Sequence, residues 1–169
     1  MTIGVAVRGT GGFHLATDTQ VCRGTQIEHL TAPKIISAGH VKILYSGQLS
    51  LCQDLTEFTN GDDAEVVAIQ IAAAIRKRRG RSRGRLDVEF LICDGTKMVA
   101  VDGHAALVMV RDDFSCVGET EVAKGAMWAT SRTGESGHAV AYSGVRACIA
   151  LSAGCGGEVM YVWLPAAKR

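Results

Sequence analysis

The residues best suited to chemistry stand at the start of the chain, which opens Met1-Thr2-Ile3. If Met1 is removed, Thr2 carries both a hydroxyl and a free α-amine. That amine can take the proton from the threonine Oγ, so one residue supplies both nucleophile and base. An α-amine titrates near about 8, close enough to neutrality to act as a base. Thr2 is therefore a candidate N-terminal nucleophile.

Two charged residues follow Thr2 at equal intervals. Asp18 lies sixteen positions after Thr2, and Lys34 lies sixteen positions after Asp18. An ammonium group near a threonine Oγ would favour the alkoxide and keep the α-amine neutral. An aspartate could hold that ammonium by a charge-assisted hydrogen bond. Alone, Lys34 could be a surface charge and Asp18 a turn residue; the set of three predicts catalysis.

The text around these residues resembles a known family. The segments TIGVAVRGTGGFHLATDTQV and APKIISAGHVKILYSGQLSLCQDL are similar to proteasome-type β subunits, including the bacterial HslV peptidase. The resemblance implies that Thr2 attacks a peptide carbonyl with help from Asp18 and Lys34. It also implies that the backbone amide of Gly47 donates to the oxyanion.

The same resemblance implies partners. Subunits of this family form homo-oligomeric rings whose active sites face an inner chamber, and closed rings are built from heterologous contacts. Substrates would be unfolded proteins, delivered by an ATP-dependent unfoldase. On this interpretation the chain is a threonine endopeptidase subunit located in the cytoplasm.

Two stretches depart from the family pattern. Where the family has Gly-Ser-Gly at its third helix, Gly118 is followed here by Glu119 and Thr120. Where the family has Asp-x-x-Ser-Gly-Gly before its final strand, this chain has Ser152 and Cys155 in place of the Asp and the Ser. Glu119 and Ser152 are therefore accessory site candidates.

These departures leave an alternative function open. A retained Met1 would convert the amine of Thr2 into an amide, which is not a base. The chain would then be a catalytically silent ring or assembly protein with the same fold.

Composition excludes several other classes. With 169 residues, 47% apolar and 21% charged, residues 1–169 are expected to form one domain. The six cysteines form no CxxC pair and have no histidine at ligand spacing, which favours reduced thiols without a metal or cofactor. No leader-like start and no run of 18 apolar residues occur, which argues against secretion and membrane spanning.

A basic cluster, Arg76–Arg85, holds seven of the eighteen Lys and Arg residues. Three interpretations stay open: a solvated helix end favoured by the helix dipole, a contact with a protein partner, or a nucleic-acid contact. The last is disfavoured because no aromatic residue interleaves the cluster.

Hydrophobic patterning predicts an α+β fold. Strands are expected at 3–8, 13–17, 25–30, 41–45, 88–93, 98–101, 106–110 and 158–164, and helices at 48–58, 66–75, 122–129 and 136–151. The Asp-Gly turns at 94–95 and 102–103 indicate an antiparallel meander. This order suits two stacked antiparallel sheets with helices outside. The resemblance implies the four-layer αββα sandwich of N-terminal nucleophile (Ntn) hydrolases.

Overall fold

A computed structural model describes residues 2–23, 26–29, 33–80 and 84–166. Within these ranges the chain forms eleven strands and four helices. The strands are β1 (Ile3–Gly9), β2 (Gly12–Asp18), β3 (Val21–Arg23), β4 (Gln26–His29), β5 (Ile35–Ala38), β6 (Val41–Gly47), β7 (Val88–Cys93), β8 (Met98–Asp102), β9 (Leu107–Val110), β10 (Phe114–Gly118) and β11 (Val159–Pro165). The helices are α1 (Leu49–Thr56), α2 (Ala64–Arg79), α3 (Thr120–Ser131) and α4 (Gly137–Leu151).

Two antiparallel sheets form the centre of the fold. The first has four strands in the order β10-β1-β2-β11, and the second has five in the order β5-β6-β7-β8-β9. The second sheet contains the predicted meander, in which β7, β8 and β9 are consecutive neighbours. At the β7–β8 turn, Asp94 Oδ1 accepts hydrogen bonds from the amides of Thr96 and Lys97, as Asx turns do.

The helices cover the outer faces of the two sheets. Apolar residues of α2 pack on β7 and β8, whereas α3 and α4 pack on β1. A third apolar cluster, which includes Phe13, Leu15, Leu44 and Leu91, lies between the sheets. The architecture is therefore helix, sheet, sheet, helix, and the predicted αββα sandwich is confirmed. No helix in the described ranges is long and apolar enough to cross a membrane.

Strand β1 is buried on both faces, which explains its nearly continuous apolar sequence. Ile3, Val5 and Val7 face the α3–α4 layer, whereas Ala6 faces the second sheet. Its neighbours are β10 on one side and β2 on the other. The residue preceding β1 is consequently held in the interior of the molecule.

Three short strands, β3, β5 and β10, were not anticipated from the sequence. Strand β10 follows no local turn pattern, and its partner β1 lies more than a hundred residues earlier. The expected strand at 25–30 appears as β4, paired with β3, while residues 24, 25 and 30 lie outside the described ranges. Pro165, which lies just beyond the expected strand 158–164, belongs to β11, an edge strand where proline is tolerated.

Candidate active site

Thr2 lies immediately before β1 and is only 8% exposed. Its carbonyl oxygen accepts a hydrogen bond of 3.1 Å from the amide of Glu119. Gly118 has φ +90°, and a Cβ built there would lie 1.7 Å from the same oxygen. Only glycine fits at this point, because any side chain would collide with the backbone of Thr2.

Asp18 and Lys34 form a buried ion pair. Lys34 Nζ lies 2.9 Å from Asp18 Oδ1, and the two side chains are 2% and 0% exposed. Buried charges are tolerated only when they are paired and hydrogen-bonded. Asp18 meets this requirement because Oδ1 also accepts from the amide of Ile3 at 3.0 Å, and Oδ2 accepts from the amide of Gly156 at 3.3 Å.

One carboxylate therefore connects three parts of the chain. It holds the ammonium group of Lys34, the amide that follows Thr2, and the turn that leads into β11. The neighbouring Thr17 adds a further bond, because its Oγ1 donates to the carbonyl of Ile3 at 2.7 Å. The ammonium group of Lys34 is thus buried and bonded to the same carboxylate oxygen that accepts from the amide of Ile3, the residue after Thr2.

Gly47 ends β6, opposite Val88 of β7. Its φ is +122°, and a Cβ would lie 2.1 Å from the carbonyl oxygen of Asp87. The preceding Ser46 lies beside Gly118, since a Cβ on Gly118 would be 3.0 Å from Ser46 Oγ. Gly118 thus borders both Thr2 and the end of β6, and α1 begins two residues after Gly47.

The two accessory candidates lie at different positions. Glu119 contacts Thr2 through its backbone amide, and its own carbonyl accepts from Cys148 Sγ at 3.4 Å. Ser152 forms the C-cap of α4 and hydrogen-bonds Cys155. Burial, followed by the charge of Asp18, raises the pKa of the Cys155 thiol to about 12, so Cys155 stays a neutral thiol.

Several residues of the site were missed in the sequence. Gly156 donates to Asp18, and Thr19 Oγ1 accepts from the amide of Glu158 at 2.9 Å. The sequence signal for these contacts was the polar run Thr17-Asp18-Thr19 at the end of an apolar strand. All three of its side chains are buried. Glu89, the only charged residue of β7, was also missed; it accepts from the amide of Gly118 at 3.2 Å.

A cavity of about 230 Å³ is lined mainly by residues of β7, β8 and β10. Its lining includes Glu89, Asp102, Cys116 and Thr120. Both acidic side chains accept hydrogen bonds from the chain itself; those to Asp102 come from the amides of His104 and Ala106. In the described ranges no group of three or more His, Cys, Asp or Glu residues could hold a metal ion.

Three members of the basic cluster bind to the protein's own chain. Arg76 and Arg79 donate to the carbonyls of Ala105 and His104, at 3.2 and 2.8 Å, in the β8–β9 turn. Arg85 Nη2 lies 2.6 Å from Glu89 Oε1. These three arginines fasten the end of α2 and the following loop to the second sheet, whereas residues 81–83 lie outside the described ranges.

No family model and no curated protein matches this sequence. Solved structures with the same architecture include Thiobacillus denitrificans BPH, with a TM-score of 0.82, 20% identity and coverage of 100% of both chains. The complex of that protein with epoxomicin gives the same TM-score and identity. Eukaryotic HslV from Trypanosoma brucei has a TM-score of 0.81 and 20% identity, over 96% of this chain and 99% of that one. The chain therefore has the αββα fold of these structures, which is the fold that the resemblance in its sequence implies.

Proposed function

We propose that this chain is a threonine-type endopeptidase subunit of a ring-forming protease, with Thr2 as nucleophile after loss of Met1. The observation that carries the proposal is the buried Asp18–Lys34 pair, joined by Asp18 to the amide next to Thr2. A purely structural sheet end has no need of a desolvated lysine, because burying a charge is costly even when it is paired.

The proposed reaction begins when Thr2 Oγ attacks a peptide carbonyl. The α-amine of Thr2 takes the hydroxyl proton and returns it to the departing amine, which leaves an acyl-enzyme ester. Water then attacks the ester, the same amine takes a proton from that water, and the acid product is released as Oγ recovers its proton. Lys34 stays protonated throughout and stabilises the developing alkoxide.

Gly47 is proposed to stabilise the tetrahedral intermediate. Its backbone amide would donate to the oxyanion, an interaction worth about 3 kcal/mol where such donors have been removed. Support comes from the position of the Ser46-Gly47 pair beside Gly118, which also borders Thr2.

The proposed ring requires contacts between copies of this chain. Large apolar side chains are exposed on the α3–α4 layer, with Trp128 56% and Leu151 76% exposed, as expected for surfaces that meet other copies of the chain. We propose unfolded proteins as substrates, an ATP-dependent unfoldase as a partner, and the cytoplasm as the location, where free thiols such as the five described ones persist.

The test combines mass, labelling and turnover. We expect the intact mass to show loss of Met1, and epoxomicin, which is bound in the BPH complex, to add once to the wild-type protein. Thr2→Ala should abolish both labelling and peptide hydrolysis, and Lys34→Met should reduce hydrolysis by at least about a hundredfold because the fixed charge is lost.

The matched control is Lys42→Met, which removes a lysine that bonds Ser37 at the surface. It should hydrolyse peptides at the wild-type rate. Wild-type turnover by Thr2→Ala would refute the mechanism.

A catalytically silent ring protein is the second candidate. It is favoured by Ser152 and Cys155, which replace the acidic and hydroxyl residues of the family pattern. A mature protein that retains Met1 and takes up no epoxomicin would support this alternative.

A further inference from the structure

We propose that Arg85 and Glu89 form a positioning pair that holds the end of β10 against the backbone of Thr2. This inference rests on the proposed function for its kinetic consequence, but the contacts themselves are independent of it. Neither residue belongs to the predicted catalytic set, and Arg85 comes from the basic cluster whose role the peptidase reaction leaves open.

Glu89 stands at a junction between the two sheets. On β7 it pairs with Ser46 of β6 on one side and with Asp102 of β8 on the other. Its Oε2 accepts from the amide of Gly118, which belongs to β10 of the opposite sheet. Glu89 therefore links two strands. Its backbone pairs with β6, which carries Ser46 and Gly47, and its side chain binds the end of β10, which contacts Thr2.

Gly118 transmits this link to the candidate nucleophile. It pairs with Ile3 in the β1–β10 ladder, and the next amide, that of Glu119, donates to the carbonyl of Thr2. No free space remains beside Cα of Gly118, because the carbonyl oxygen of Thr2 lies where a Cβ would be. A shift of Gly118 must consequently move the backbone of Thr2.

Arg85 fixes the orientation of the carboxylate. Its Nη2 donates to Glu89 Oε1 at 2.6 Å, so that Oε2 is directed at Gly118. The pair is partly exposed, at 50% and 36% for the two side chains, and pairs of this kind add little to overall stability. Its effect should therefore appear in the geometry of Thr2 more than in the unfolding of the protein.

The kinetic arm of the experiment measures kcat and KM for a peptide and the rate of epoxomicin addition to Thr2. Glu89→Ala should lower kcat and the addition rate about tenfold, with KM changed less than about twofold, because misplacement of a reacting group costs rate. Glu89→Gln keeps an acceptor oxygen for the amide of Gly118 and should recover most of kcat and of the addition rate. Arg85→Gln should give rates between those of Glu89→Ala and Glu89→Gln.

The matched control is Lys97→Gln. It removes a partly exposed ion pair with Asp63, at the opposite end of β7 and away from Thr2. This variant should retain the wild-type rates and should lose about as much thermal stability as Glu89→Ala. Wild-type rates in Glu89→Ala, with Thr2 reactive, would overturn the inference.

The second arm does not depend on catalysis. Hydrogen–deuterium exchange of the segment 114–120 should accelerate in Glu89→Ala by about tenfold and stay unchanged in Lys97→Gln. If the wild-type protein takes up no epoxomicin, the proposed function fails while this arm still decides the positioning role. Unchanged exchange in Glu89→Ala would show that Glu89 does not hold β10.

Discussion

At the scale of single residues, the site depends on approaches so close that one atom more would not fit. Gly118 gives the clearest case, because its missing Cβ makes room for the carbonyl of Thr2. Asp18 shows the complementary principle: each of its two oxygens accepts hydrogen bonds from fixed donors, so the carboxylate has little freedom to turn.

Gly118→Ala should therefore be severe. The added methyl group collides with the backbone of Thr2, and φ of +90° is unfavourable for alanine. We expect epoxomicin labelling and peptide hydrolysis to fall by about a hundredfold or more, measured alongside circular dichroism to verify that the fold is retained.

Gly125→Ala provides the comparison for that experiment. Gly125 lies inside α3, and apart from its chain neighbours and the adjacent helix backbone no atom lies within 4 Å of a built Cβ. Alanine there should stabilise the helix by up to about 1 kcal/mol and leave hydrolysis unchanged. Equal activity in the two variants would contradict the steric argument at Gly118.

The register of Thr2, Asp18 and Lys34, together with the family resemblance, pointed to Asp18 and Lys34, and the structure brings these two side chains together. Spacing could not reveal Gly156, because its bond to Asp18 spans 138 residues. Glu89 escaped for a similar reason: its bond to Gly118 crosses from one sheet to the other, and nothing local to β7 indicates it.

At the scale of elements, helix boundaries follow from local chemistry. Helix α2 begins at Asp63, whose side chain accepts from the amides of Glu65 and Val66, and it ends at Gly80 with φ +57°. Such signals are readable from sequence, which is why the helices and the Asp-Gly meander could be predicted. Strands β3, β5 and β10 could not be predicted, because each is short and is recognised only by its pairing with a neighbouring strand.

Replacing the cap of α2 should produce a pH-dependent loss of stability. The hydrogen bond from Lys97, with the amides of Glu65 and Val66, holds the pKa of Asp63 below its usual value. A carboxylate with a lowered pKa stabilises the fold above its unfolded pKa of about 4 and loses that effect as pH falls through the folded value. Asp63→Ala should therefore cost about 1 kcal/mol at pH 7 and progressively less below pH 4.

The measurement is the free energy of unfolding in urea, for the wild-type protein and for Asp63→Ala, from pH 7 to pH 2. Asp63→Asn is the matched control, because asparagine caps a helix about as well as aspartate but does not titrate. Its stability relative to Asp63→Ala should vary little with pH. A loss in Asp63→Ala that stays constant from pH 7 to pH 2 would contradict the assignment.

At the scale of the whole molecule, the four layers remove most thiols from water. All five cysteines whose side chains are described are free and buried. Burial raises the pKa of Cys116 and Cys148 to about 11 and that of Cys52 and Cys155 to about 12. The pKa of Cys93 is raised as well. The layering itself was predictable from element order, whereas the position of each thiol depends on packing.

These five thiols should consequently resist alkylation. We expect iodoacetamide at pH 8 to leave Cys52, Cys93, Cys116, Cys148 and Cys155 unmodified in the folded protein, because only the thiolate reacts. In urea all five should react within minutes. Peptide mapping by mass spectrometry measures the outcome, and rapid modification of any of the five in the native protein would contradict its burial.

Under the proposed function, the bond between Asp18 and Gly156 bears on when Thr2 becomes reactive during synthesis. At ribosomal speeds of about 5–20 residues per second, the 138 residues between them take on the order of ten seconds to add. Until then Asp18 lacks the amide of Gly156, and β11, which follows that residue, has not yet been made. We therefore expect the proposed peptidase activity to appear only once synthesis of the chain is nearly complete.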